Sequence, residues 1–195
     1  MNFKERNYAL LVVSASETFC SAIKEILAPY NGAFTARYEQ NVAAAKRTAA
    51  ETAFDLLIVN APLPDEFGSK FAAEFASDKS GVALLVVRSE IYGDVYQKMV
   101  DNGVYVLPKP LNKYMMIRAL EWMCATKERL RRLEKKAVSL EEKMEEIRLV
   151  NRAKWILIQH LKMNESDAHR YIEKRAMDTC VSRREIAENI IKTYT

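Results

Sequence analysis

The chain has 195 residues, 49% hydrophobic and 29% charged, enough apolar material for one large or two small cores. No apolar run approaches the roughly 20 residues that span a bilayer, and the apolar stretch at Tyr8–Val13 is too short for a signal-peptide core, so a cytoplasmic protein with no membrane partner is expected. The net charge of +4 is uneven: Lys plus Arg against Asp plus Glu is 13 to 13 over residues 1–120, 8 to 7 over 121–150 and 9 to 6 over 151–195, which leaves a basic tail suited to a polyanion.

Residues 8–13 (YALLVV), 54–59 (FDLLIV), 82–87 (VALLVV) and 104–107 (VYVL) are short, continuous apolar runs. Such runs suit strands buried on both faces, as in a parallel sheet. Residues 34–38 (FTARY) form a weaker strand signal. Ser16 is an N-cap for a helix carrying Phe19, Ile23, Ile26 and Leu27 on one face, and Ile91, Val95 and Met99 make a second helical stripe. This alternation predicts a doubly wound α/β domain with a five-stranded parallel sheet over residues 1–122. Function in such sheets sits at the carboxyl ends of the strands, here Ser14, Ala15, Asn60, Arg88, Ser89 and Lys109.

From Asn112 to His160 there is neither glycine nor proline, and the spacing predicts one long helix. Met116, Ala119, Met123, Thr126, Leu130, Leu133, Ala137, Leu140, Met144 and Ile147 alternate steps of three and four, a heptad seam with Leu130 at a and Leu133 at d. Residues 123–150 therefore read as a coiled-coil homodimer. In a parallel pair Arg129 meets Glu134 and Lys136 meets Glu141, both attractive, while Lys143 meets Arg148; an antiparallel pair sets basic residues against basic ones. Each exposed pair is worth only about 0.2–1 kcal/mol, but the sum favours parallel strands. Asn151, at the next a position, either fixes the register or marks where the helices splay.

Residues 151–195 read as a small all-α domain, with helices at 148–162, 165–178 and 183–193. Asn164 caps the second with Asp167 at N3, and Met163 staples to Ala168. Ser182 and Glu185 form a capping box for the third, with Val181 stapling to Ile186. Ile156, Ile158, Leu161, Ala168, Tyr171, Ile172, Ala176, Met177, Ile186, Ala187, Ile190 and Ile191 supply a minimal core. Cys20, Cys124 and Cys180 are scattered and odd in number, and His160 and His169 have no cysteine at ligand spacing, so no disulfide framework, metal or cofactor is expected. No acid–base or nucleophilic constellation points to an enzyme.

Two resemblances attach to these segments. Asn60-x-x-x-Pro64-x-x-x-Gly68, followed by a last strand ending in Lys109–Pro110, resembles the receiver domain of response regulators, whose pattern is strand–Asp–x-x-x–Pro–x-x-x–Gly and then Lys–Pro. The acid pair of that family is replaced by Ser14 and Ala15, the acceptor aspartate by Asn60, and the Thr/Ser position by Arg88, or by Ser89 one residue on; Lys109 alone survives. Mg²⁺ demands hard anionic oxygens, and Asn60 is a poor nucleophile. The resemblance therefore implies a receiver that takes no phosphate and serves as a dimerisation element or as a docking surface for a sensor protein or ligand.

The tail is similar to the ANTAR domain, the RNA-binding module of transcription antitermination regulators. Arg152-Ala153-Lys154, Ala168, Tyr171, Arg175-Ala176-Met177-Asp178, Ser182 and Ile186-Ala187 carry the likeness. Trp155 stands where that family usually has glycine, a ring expected to alter packing beside the coiled coil. The resemblance implies a dimer gripping tandem RNA stem-loops. Independently of it, Arg152, Lys154, Arg170, Arg175, Arg183 and Arg184 are the basic candidates for phosphate contact. Arg183 and Arg184 open a helix, whose free N–H groups favour phosphate. Tyr171 is read either as a base-stacking residue or as a core tyrosine, and Arg170 with Lys174 as a solvated face. The rival readings are a DNA-binding regulator with a helix-turn-helix-like tail and a signalling adaptor that binds no nucleic acid.

Overall fold

The expected runs become the strands β1 (Tyr8–Val13), β2 (Phe34–Glu39), β3 (Leu56–Asn60), β4 (Val82–Arg88) and β5 (Tyr105–Lys109). They lie parallel in the order β2-β1-β3-β4-β5. The computed structural model describes residues 7–30, 32–77 and 81–194. β3 and β4 are buried along their length apart from Arg88, which is why their sequences run apolar without alternation. β2 is an edge strand with no fully buried residue, and its sequence signal is correspondingly weak.

Successive residues of each strand serve opposite faces. On one face Leu10, Val12, Leu56, Ile58, Leu84 and Val86 pack with α1 (Glu17–Leu27) and with Met116, Ala119, Leu120, Met123 and Cys124 of α5 (Lys113–Leu161). On the other, Leu11, Val13, Leu57, Val59, Leu85 and Val87 pack with α2 (Val42–Glu51), α3 (Ser69–Ser77) and α4 (Tyr92–Val100). Each fully buried aliphatic side chain contributes about 1.5–3 kcal/mol relative to exposure. The strand order reverses between β1 and β3, which sets a crevice at their carboxyl ends. Gly68 has φ 88°, and a Cβ there would stand 2.7 Å from Val59 Cγ1, so glycine in the Pro64-x-x-x-Gly68 turn is a steric requirement.

The chain divides into two compact units between Arg132 and Leu133. A charged clamp at the amino end of the sheet holds α5 to the first unit this far. Asp55, just before β3, accepts the Ala9 N–H at 3.1 Å, the Lys127 ammonium at 3.1 Å and the Arg131 guanidinium at 2.8 Å. Glu128 pairs with Arg131 at 2.9 Å and accepts the Tyr8 hydroxyl at 3.1 Å. Leu130, expected in the dimer seam, is partly buried against the sheet core.

In the second unit the end of α5 packs with α6 (Glu165–Thr179) and α7 (Arg183–Tyr194). The core is Ala153, Leu157, Ala168, Ile172, Ala176, Ile186, Ala187 and Ile190. Asn164 caps α6 by accepting the Asp167 N–H at 2.8 Å, and Ser182 caps α7 by accepting the Glu185 N–H at 3.2 Å. The first tail helix is the end of α5, in keeping with the single long helix expected from Asn112 to His160. Two expected core residues are corrected: Met177 is 73% exposed and Leu161 43%. On α6 the buried stripe runs Ala168, Ile172, Ala176 in steps of four, and Met177 lies about 100° further around the helix. Ala153 and Leu157, absent from the expected core, are fully buried in it.

Candidate nucleic-acid interface and strand-end pocket

The strand-end residues Ser14 and Asn60 meet at the crevice. Ser14 follows β1, Asn60 ends β3, and both are buried. The Asn60 amide donates to Ser14 Oγ at 2.9 Å, and Ser14 Oγ also accepts the Ser16 N–H at 3.1 Å. Asn60 Oδ1 is buried with no hydrogen-bond partner among the described residues. Lys109 ends β5 and donates to the Ala61 carbonyl at 2.6 Å. Burial first, and then the charge of neighbouring Arg88, hold its ammonium below the ordinary lysine value. Arg88, in register with Lys109, is exposed, as is Ala15. The Ser89 hydroxyl donates to the Lys109 carbonyl oxygen. Ser14, Ala15 and Asn60 bring no carboxylate to the crevice, the group that holds a hard divalent cation.

Three of the tail's basic residues, Lys154, Arg175 and Arg183, line two depressions. Lys154 and Arg183 line one of about 430 Å³ together with Lys143, Glu146, Asn151 and His169. Tyr171 and Arg175 line another of about 440 Å³, with the Arg175 guanidinium 5.7 Å from the Tyr171 ring centre. Several cations are already engaged. Lys154 pairs with Glu165 at 3.1 Å, Arg183 with Glu146 at 3.1 Å and Glu173 at 3.8 Å, and Arg184 with Glu188 at 3.0 Å. Arg152 is exposed, and Tyr171 is half-buried at the edge of the core. Along α5, Leu133, Leu140, Met144 and Ile147 are between 50% and 60% exposed, and Ala137 lies exposed among them.

Comparison with known proteins accounts for both halves. The sheet domain is similar to receiver domains of known structure. One is the signal receiver domain of an HD domain-containing protein from Pseudomonas fluorescens Pf-5, at 22% identity and TM-score 0.57, covering 65% of this chain and 93% of that one. Another is the non-phosphorylated HemR receiver domain from Leptospira biflexa, at 20% identity and TM-score 0.53, covering 60% and 93%. A sequence model of the ANTAR domain matches residues 139–191. The transcriptional regulatory protein PdtaR of Mycobacterium tuberculosis, in strains CDC 1551 / Oshkosh and ATCC 25618 / H37Rv, is 30% identical over 140 residues, 71% of this chain and 68% of its own length. The chain belongs to the family of ANTAR-domain response regulators.

In this ANTAR-domain response regulator, one feature escapes the sequence patterns. The Asp55–Lys127–Arg131 clamp joins groups far apart in the chain, which no local periodicity signals. Trp155, expected to alter packing, is 65% exposed; its helical phase, opposite Ala153 and Leu157, is the signal that finds it. Among the described residues no helix is long and apolar enough to cross a membrane.

Proposed function

We propose that this chain is a dimeric, RNA-binding transcription antitermination regulator whose receiver takes no phosphoryl group and answers to a sensor protein or ligand docked on it. The observation that carries the reading is the ANTAR match over residues 139–191, which falls on a three-helix unit with Arg152 and Arg175 exposed at its surface. Arginine presents rigid, bidentate donors to phosphate, and folded RNA is bound through phosphates together with bases splayed from loops. The domain plan that goes with this function is a receiver over residues 1–122, a dimerisation helix over 123–150 and an RNA-binding unit over 151–195; the clamp at Lys127 and Arg131 supports extending the first part to Arg132.

Dimerisation is supported by the exposed apolar residues Leu133, Leu140, Met144 and Ile147 at heptad spacing, a row that a monomer leaves in water. The inert receiver is supported by the absence of carboxylates from Ser14, Ala15 and Asn60. Lys154, Arg175, Arg183 and Arg184, with Arg152 and Tyr171, remain the proposed RNA contacts. The division of Lys154 with Arg183 and of Tyr171 with Arg175 between two depressions favours two contact patches over one. The test is crosslinking of the full chain to cellular RNA, followed by affinity measurement on the recovered RNA and on duplex DNA. Recovery of hairpin-containing transcripts, bound more tightly than the duplex, is the expected result. Tighter binding to duplex DNA overturns it in favour of a DNA-binding regulator.

A further inference from the structure

The exposed Trp155 falls between Ala153 and Leu157 in sequence but on the opposite face of α5; those two are 0% and 1% exposed. At 3.6 residues per turn, Arg148, Arg152, Trp155 and Gln159 fall within about 60° of one another, on the side of α5 opposite that core face. All of them are exposed. No acidic residue occurs from Ile147 to Asn164. Among the described residues, the ion pairs along this stretch are Arg148 with Glu145 at 3.8 Å and Lys154 with Glu165 at 3.1 Å; neither involves Arg152. The result is an indole on one helix face with two guanidiniums and an amide, along a stretch that carries no carboxylate of its own.

An exposed indole also suits a protein interface, and Trp155 flanks the heptad frame at an e position. The next seam positions, however, are Asn151 and Lys154. Lys154 is only 15% exposed at its side chain and is held by Glu165 of its own chain. The apolar seam therefore ends at Ile147, and Trp155 lies about two turns beyond it.

We infer that Trp155 is a stacking platform for an unpaired RNA base, with Arg152 and Arg148, about one and two turns toward the helix N-terminus, taking successive phosphates on that side and Gln159 bonding the base edge. This rests on the RNA-binding reading above. An aromatic face stacks on any base, and such stacking carries much of the affinity for single-stranded segments. RNA recognition draws on bases splayed from loops for the same reason. Cations beside a ring on one helix face supply the charge and the stacking surface that this mode uses.

The experiment uses the full chain and a pool of two-hairpin RNAs with randomised loops, with duplex DNA of matched length as control. Kd is measured for wild type, Trp155→Ala, Trp155→Phe and Arg152→Gln, and sedimentation is run on each. The expected result is a loss of roughly tenfold or more for Trp155→Ala, near-wild-type affinity for Trp155→Phe, and a salt slope smaller by about one unit for Arg152→Gln. In a Trp122→Phe background, fluorescence of Trp155 is expected to be quenched by the hairpin pool. Unchanged affinity in Trp155→Ala, or unquenched fluorescence, overturns the inference and leaves the RNA reading standing. A loss that tracks dissociation of the dimer also overturns it, because the ring then serves assembly. Wild-type chain that binds the hairpin pool no better than duplex DNA overturns both.

Discussion

At Asp55, burial pushes the carboxyl pKa upward, but the Ala9 N–H and the hydrogen bond and charges of Lys127 and Arg131 outweigh it and hold it below its ordinary 3.8. A lowered carboxyl pKa means that the unfolded chain binds the proton more readily. The clamp's contribution is therefore full at neutral pH and is lost as pH falls from 3.8 through the folded value. Asp55→Asn deprives the buried Lys127 of this carboxylate, and the expected cost is about 3 kcal/mol at pH 7. Urea unfolding of wild type and variant at pH 7 and at about pH 3 checks this: the gap between them shrinks at the lower pH. Cys124, close by, is fully buried, and burial and then the Asp55 charge push its thiol up to about 12, which disfavours the reactive thiolate. Chain reversals are the residues least legible in the sequence. α5 is followed by Lys162 at φ 55° and α6 by Cys180 at φ 53°. Left-handed caps normally announce themselves as glycine or asparagine, and neither is present.

Elements are more legible than their partners. β1, β3 and β4 stand out because strands covered on both faces need unbroken apolar runs, and α5 because nothing in it breaks a helix. The heptad pattern of α5 describes two different things. Met116, Ala119 and Met123 keep the three-and-four spacing because they face the sheet, and the same spacing continues from Leu133 through Leu140, Met144 and Ile147, which are exposed. Periodicity reports that a helix has one apolar side; it does not report what covers that side. The site is legible to the same degree. Ser14, Asn60 and Lys109 follow from strand ends, whereas the carboxylate partners of Lys154, Arg183 and Arg184 come from other turns or other helices. For the proposed seam, Leu133→Lys with Leu140→Lys sets charges between the helices at a cost of several kcal/mol, and sedimentation velocity is expected to show a monomer. A double variant that stays dimeric removes residues 133–147 from the interface.

At the scale of the whole molecule, one unbroken helix runs from a receiver fold into a three-helix ANTAR unit. Incubation of the intact protein with acetyl phosphate and Mg²⁺ is expected to leave its mass unchanged and to reveal no tight Mg²⁺ binding, because Ser14, Ala15 and Asn60 carry no anionic oxygen. Stoichiometric phosphorylation, read by mass spectrometry, overturns the inert receiver. The bond from the Asn60 amide to Ser14 Oγ then has a consequence for how a signal is stored. A phosphorylated aspartate is a covalent memory, erased at the rate of its hydrolysis. Under the proposed reading, a domain closed on itself by asparagine and serine would keep no such record. Its state would follow the concentration of whatever binds it and that binder's dissociation constant. Response would then scale with copy number instead of enzymatic turnover, and the signal would last only as long as the partner's residence time.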